Sequence, residues 1–220
     1  MNEDSVLLID KPAGMTSFGV VARIRRILSR DLGKKVKVGH CGTLDPFATG
    51  LMIIVTGKEC KNAGRYSKLD KSYETTIILG KTSTTGDPEG ELDTVSSKEP
   101  TSTEVATVLD KFRGVITQKP PIFSAIKVDG KRAYKLAREG KAVDIPDRQV
   151  TIHSLELIDY RYPELRLRAH VSSGTYIRSL AEDIGKELGV GGYCSELRRT
   201  SIGEWSLSAA QTLADFGIEN

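Results

Sequence analysis

The sequence predicts an α/β fold of the α+β type, a mixed and mostly antiparallel sheet flanked by helices. Three observations point to it. The segment "ELRLRAHV" alternates strictly, with Leu165, Leu167, Ala169 and Val171 on one face and Arg166, Arg168 and His170 on the other, the pattern of an antiparallel strand with one wet face. Helices opening at Ser17, at 103 and after the turn at 174 stand among the strand-like segments, which makes the content mixed. No internal repeat and no Pro/Gly-rich linker interrupts the 220 residues, so a single domain spanning 1–220 is the economical expectation, large enough to need no disulfide or metal staple.

The elements follow in order. Residues 5–10 read as a short strand, "KPAGMTS" as a loop, and Ser17 as the opening of a helix with Val20, Val21, Ile24, Ile27 and Leu28 on one side. Arg23, Arg26 and Arg30 group on another side, so this helix packs inward and shows arginine outward. "LMIIVTG" (51–57) and "SYETTIILG" (72–80) read as strands, and most of the acidic, Gly/Pro-punctuated stretch 83–102 as surface loop. "TEVATVLDKFRG" (103–114) is a helix expected to end at Gly114. Residues 117–148 carry eight Lys or Arg with a Pro-Pro pair and read as an extended basic flap. "QVTIHSLELIDYRY" and "ELRLRAHV" are antiparallel strands, and "GTYIRSLAEDIGKELG" is a tight turn into an amphipathic helix with Gly189 past its end.

Composition bounds the class. Cys41, Cys60 and Cys194 are odd in number and far apart, which suggests neither a disulfide framework nor a metal knuckle and fits a reducing cytoplasm. The apolar run Val6 to Ile9 is too short for a signal-peptide core, and "LMIIV" is too short to cross a bilayer. The expected protein is soluble, cytoplasmic and monomeric, with no membrane partner. Net charge is +3, but it falls in blocks: +5 over 1–75, −4 over 76–109, +5 over 110–150 and −3 over 151–220. Two basic segments flanking an acidic one fit either plain solvated faces or a polyanion footprint such as RNA.

Several chemistries are set aside on spacing. "VTGKEC" is no phosphate-binding loop, because Met52 stands where a glycine is required and Glu59 follows Lys58. His40 and Cys41 are neighbours and point to opposite sides of an extended segment, a poor dyad. His153 and His170 stand alone in strand-like segments, and no cluster of His, Cys or carboxylate has ligand spacing, so metal-assisted hydrolysis is not expected. What remains is Asp45 in "GHCGTLDPFATGL", a lone acid among small and turn residues. Asp before Pro often caps a turn. A single carboxylate also serves as nucleophile or base when a cation holds it ionised, and Arg178 in "GTYIRS" and Tyr73 in "KSYE" are candidates to meet it. Tyr73 and Tyr176 offer flat faces for an extruded base. Spacing leaves these alternatives open.

The resemblance narrows them. "LLIDKPAGMTS" (7–17), "GHCGTLDPFATGL" (39–51), "KSYE" (71–74), "GTYIRSLAEDIG" (174–185) and "YCSELRRTSIG" (193–203) resemble, in this order, the motifs of the TruB-type tRNA pseudouridine synthases, over residues 5 to about 215. The resemblance implies a pseudouridine synthase fold and conversion of uridine 55 in the tRNA T-loop to pseudouridine, without cofactor or metal. Asp45 would act at C1′, Arg178 would pair with it, and Tyr73 would stack on the uracil and relay the C5 proton. Tyr176 and Leu197 would line the base pocket, with His40 holding the RNA open. The tRNA T-arm is the implied partner, gripped by Arg23, Arg26, Arg30, Lys127, Lys131 and Arg132, and 117–148 becomes an RNA-clasping insertion. Cys41 stands where the family usually has Thr. The chain stops at Asn220, where most relatives continue into a small C-terminal RNA-binding domain, so a catalytic domain without it is expected. Two other readings share these residues: the same chemistry on another structured RNA, and an RNA-binding or folding module with secondary catalysis.

Overall fold

The computed structural model describes residues 3–124, 127–128, 131–132 and 145–218. In chain order the first strands are β1 (Val6–Lys11), β2 (Val38–His40), β3 (Thr49–Thr56), β4 (Lys71–Leu79), β5 (Lys81–Ser83) and β6 (Leu92–Thr94). Then come β7 (Gly114–Gln118), β8 (Lys127–Val128), β9 (Lys131–Arg132), β10 (Arg148–Arg161), β11 (Glu164–Val171), β12 (Gly192–Ile202) and β13 (Trp205–Ser206). The α-helices are α1 (Ser17–Asp31), α2 (Ala63–Ser67), α3 (Ser102–Lys111) and α4 (Ile177–Glu187). The chain divides into two compact units, 1–73 with 198–220, and 74–197.

The first unit is organised around β3. It pairs antiparallel with β1, with Ile9 opposite Met52, and with β2, with Gly39 opposite Val55. The end of β12 pairs with it in parallel, Arg199 opposite Gly50. A strand flanked on both sides and covered on both faces reads as a continuous apolar run, and Leu51 to Val55 are each no more than 1% exposed. α1 starts where Thr16 Oγ1 accepts the Gly19 N–H at 3.0 Å, a side-chain cap that satisfies one of the orphan donors of the first turn. It buries Val20, Val21, Ile24, Ile27 and Leu28, the stripe expected from the sequence.

The second unit holds strands in the order β12, β4, β11, β10, β7. β10 and β11 form the expected antiparallel pair, Leu155 opposite Ala169, and the apolar face of β11 is no more than 1% exposed. α3 opens with a capping box in which Thr101 N donates to Glu104 Oε2 at 2.7 Å and Glu104 N to Thr101 Oγ1 at 3.2 Å. α4 buries Ile177, Leu180, Ala181 and Ile184, and Gly189 follows it with φ +72°.

One sequence expectation needs correction: α3 ends at the Phe112 cap, and Gly114, with φ +88°, begins β7 instead of closing the helix. Most of 83–102 is surface loop, as expected, with one short strand in it, β6, which pairs with β5. β12 runs over Gly192–Ile202, a segment whose mixed polar content hides a strand. The basic flap is described only in part: β8 and β9 pair antiparallel, Lys127 opposite Arg132. Residues 125–126, 129–130 and 133–144 lie outside the described residues, as do the side chains of Lys127, Lys131 and Arg132. No helix among the described residues is long and apolar enough to cross a membrane.

Gly185 generates a test of the second unit. A Cβ there would meet Gly191 O at 2.6 Å, while Val190 N and Gly191 N both donate to Gly185 O, so backbone lies against backbone. In an open helix, Gly to Ala gains about 1 kcal/mol. Here Gly185→Ala is expected to destabilise by roughly 1–3 kcal/mol through overpacking, read as a lower denaturant midpoint at unchanged slope.

Candidate active site

The turn carrying Asp45 lies between β2 and β3 and is tied down on every side by main-chain bonds. Cys41 N donates to Ile53 O at 2.9 Å, and buried Ser17 Oγ both accepts from Leu44 N at 2.8 Å and donates to Leu44 O at 2.9 Å. Ala48 N closes the turn on Asp45 O at 3.2 Å. Lys11, fully buried, donates through Nζ to Pro46 O at 3.1 Å, Pro12 O at 2.8 Å and Met15 O at 2.6 Å, so one ammonium joins the "KPAGM" loop to the Asp45 turn. Arg199, 1% exposed, reaches across from β12: Nε to Leu51 O at 2.7 Å, Nη2 to Gly42 O at 3.2 Å and Nη1 to Thr43 O at 3.5 Å. Gly50, with φ +102°, permits the close approach, since a Cβ would stand 2.8 Å from Arg199 N. Asp45 itself is half-buried on this held turn.

Beside Arg199 the electrostatics are one-sided. Lys71, buried at the start of β4, donates to Ser67 O at 3.0 Å and to Leu69 O. Burial, and then the Arg199 charge, push its pKa down to about 8. Burial raises the Cys41 thiol to about 11, with Cys60 and Glu59 adding to the rise. Cys41 is therefore a neutral packing residue against Leu51, Ile53, Val55 and Ile202, and its difference from Thr falls in a core cluster. Of the other expected residues in this unit, Tyr73 is 7% exposed on β4, and His40 lies on β2 opposite Ile54.

The second unit carries Tyr176, Arg178 and Leu197. Arg178, 4% exposed in the first turn of α4, donates through Nη1 to Asp87 Oδ2 at 2.9 Å and Thr85 O at 2.8 Å, and through Nη2 to Phe123 O at 2.7 Å. Asp87 is in turn fixed: its Oδ1 accepts from Thr85 Oγ1 at 2.6 Å and from Glu89 N at 3.0 Å. Removing one partner of such a buried pair typically costs 3–5 kcal/mol, because the other charge is stranded. Tyr176 is gripped by buried Gln118, which donates to Tyr176 O at 3.0 Å and accepts from Tyr176 N at 2.8 Å. The Arg148 guanidinium lies over the Tyr176 ring at 6.0 Å, and Leu197 is buried on β12.

Sequence reasoning missed Asp87, Gln118, Lys11 and Arg199. Asp87-Pro88 repeats the Asp-Pro signal of Asp45-Pro46, and Asp87 makes the turn bond that this signal predicts, to the N–H two residues on. Lys11 and Arg199 carried no signal, because a charged residue in a motif reads as exposed or catalytic, not as a fully buried clamp.

Comparison with known proteins follows the same residues. A model of the TruB family pseudouridylate synthase N-terminal domain matches 25–177, and one of the tRNA pseudouridylate synthase B C-terminal domain matches 178–218. The tRNA pseudouridine synthase B of Chloroherpeton thalassium is 48% identical over 213 residues, covering 95% of this chain and 87% of that protein. That of Parabacteroides distasonis is 47% identical over 220 residues, covering 98% and 94%. Among solved structures, a chain of a Cbf5-Nop10-Gar1 complex superimposes with a TM-score of 0.72 at 29% identity, over 97% of this chain and 53% of that one. A chain of an H/ACA RNP bound to a substrate RNA containing 2′-deoxyuridine gives 0.70 at 26% identity, over 99% and 56%. The chain thus spans about half the length of these solved chains.

Lys71 generates a pH prediction. Its folded pKa lies below the unfolded value, so between pH 8 and 10.5 the unfolded chain binds more protons and stability rises with pH. Below pH 8 the full cost of the buried charge is present. Relative to Lys71→Met, the wild type is expected to gain up to roughly 1.4 kcal/mol per pH unit across that window, measured by urea unfolding at pH 7 to 10. Parallel pH profiles for the two proteins would contradict the assignment.

Proposed function

The chain belongs to the TruB family of pseudouridylate synthases, and from that membership we propose that it isomerises the T-loop uridine at position 55 of tRNA, with Asp45 as the catalytic carboxylate. It is a tRNA pseudouridine synthase, an isomerase. The observation that carries the assignment of Asp45 is the clamp beneath it. Two buried cations, Lys11 and Arg199, hold the carbonyls of residues 42, 43 and 46 on both sides of this one acid. Investment of two buried charges in the geometry of a half-exposed turn suits a residue that must present one carboxylate to a reacting centre.

In this reading Asp45 either attacks C1′ to form an ester or removes the C2′ proton to leave a glycal, and in both cases the N1–C1′ bond breaks and the uracil turns. The C5–C1′ bond then forms, with the Asp45 carboxylate leaving C1′ or its proton returning to C2′, after which the C5 proton leaves and N1 gains a proton. Glycoside hydrolases of the two-carboxylate kind use the second acid to activate water. Here the freed base must be recaptured, so water is an unwanted nucleophile and one acid suffices. Arg178 pairs with Asp45 and keeps it ionised, while Asp87, Thr85 and Phe123 fix the orientation of its guanidinium. Tyr73 stacks on the uracil and relays the C5 proton, Tyr176 and Leu197 line the base pocket, and His40 keeps the stack open where the base has left it. Uracil has to leave the stack to be reached, at a cost of a few kcal/mol. Phosphate contacts from Arg23, Arg26, Arg30, Lys127, Lys131 and Arg132 to the T-arm offset it. Both units serve one catalytic domain, acting as a monomer in the cytoplasm without cofactor or metal.

Asp45→Asn keeps the shape of the side chain and removes its nucleophilicity and basicity. It is expected to form no pseudouridine in a tritium-release assay while binding tRNA within a few-fold of wild type. Appreciable turnover by that variant would remove Asp45 from the chemistry.

A further inference from the structure

α1 presents Arg23, Arg26 and Arg30 along one side, and that side is not an open surface. It forms one wall of a cleft of about 660 Å³ whose other wall is Phe216, Gly217 and Ile218 near the end of the described chain. All of these residues belong to the first unit. Arg26 has no carboxylate partner among the described residues, and Arg23 makes only a long bond to Gly19 O at 3.4 Å. Arg30 meets Asp31 in a mostly exposed pair, the kind that is weak and screened. Asp215, the acid preceding Phe216, is occupied in its own turn, where it accepts from Thr212 N at 2.7 Å and Thr212 Oγ1 at 2.9 Å. Those bonds hold the Asp215 carboxyl below the usual carboxylate range. Among the described residues the lining contains no acid.

We propose that Arg23, Arg26 and Arg30 make their RNA contact inside this cleft, which takes consecutive phosphates of one RNA strand on the three arginines and packs a base or ribose on Phe216, apart from the catalytic residues. The proposal rests on the tRNA reading above. Positions 23 to 30 span about 10 Å of helix, and one nucleic-acid strand carries a charge per roughly 3.4 Å of axis, so three guanidinium groups match a short run of phosphates. Guanidinium forks fit phosphate oxygens better than an ammonium does. An aromatic ring among arginines accepts a nucleobase by stacking, without regard to sequence. Gly217, with φ +69°, turns the chain beside Phe216 and adds no side chain to the mouth of the cleft. An acidic protein segment would satisfy the arginines but leave the ring without a flat partner, which favours RNA.

The test uses the full chain with two variants, Arg23→Gln/Arg26→Gln/Arg30→Gln together and Phe216→Ala, each checked for wild-type thermal unfolding. Binding of full tRNA is measured against salt concentration, and steady-state and single-turnover pseudouridine formation are measured separately. The triple variant is expected to lose about 0.7 to 0.9 of log-log salt slope per lost phosphate contact, roughly 2.1 to 2.7 over the three. Its KM should rise about ten-fold, with the single-turnover rate at saturating tRNA within two-fold of wild type. Phe216→Ala should raise KM several-fold and leave the salt slope unchanged. A triple variant with the wild-type slope and KM overturns the proposal, as does displacement of poly-glutamate but not tRNA by the same substitutions. Wild-type protein that binds tRNA with the expected slope but forms no pseudouridine would instead refute the catalytic reading and leave the cleft standing.

Discussion

The buried guanidinium of Arg199 is the constraint on which the first unit depends. Its three hydrogen-bonded nitrogens are directed at main-chain carbonyls of Leu51, Gly42 and Thr43, so a single side chain joins the start of β3 to the turn that carries Asp45. Burying a charge is tolerable only when its donors are all satisfied, and the geometry that satisfies them is the geometry of the turn. Two sequence features follow from it. Gly50 must lack a side chain because β3 is pressed on the Arg199 backbone, and Lys71 carries a depressed pKa because it shares that interior. Lys11 repeats the device from the other side through Pro46 O.

The two units each contain an aspartate before a proline, and they use them differently. Asp87 is buried, accepts an N–H and a hydroxyl, and orients one end of the Arg178 guanidinium through Nη1. Asp45 is half-buried on a turn whose main chain is held by Ser17, Lys11 and Arg199.

Much of this was legible in the sequence. The stripe of α1, the alternation of β11 and the apolar run of β3 are periodic signals that burial obeys directly. The site motifs were legible through their resemblance to a family. Less visible were elements without periodicity, such as β12, in which Arg198 and Arg199 stand among small residues and one of them turns inward. Gly114 misled because a glycine of positive φ serves equally to end a helix or to enter a strand. Lys11, Arg199 and Gln118 were hidden for a common reason: their partners are backbone carbonyls and amides, which every residue possesses and no pattern advertises.

The central claim is that this chain places pseudouridine at position 55 of tRNA. Mapping pseudouridine at nucleotide resolution in total RNA from cells lacking the protein tests it most directly. The account predicts an unmodified uridine at position 55 across the tRNA pool, with other pseudouridines retained and the mark restored by the wild-type chain. Persistence of pseudouridine at position 55, with loss at another RNA position instead, would contradict it.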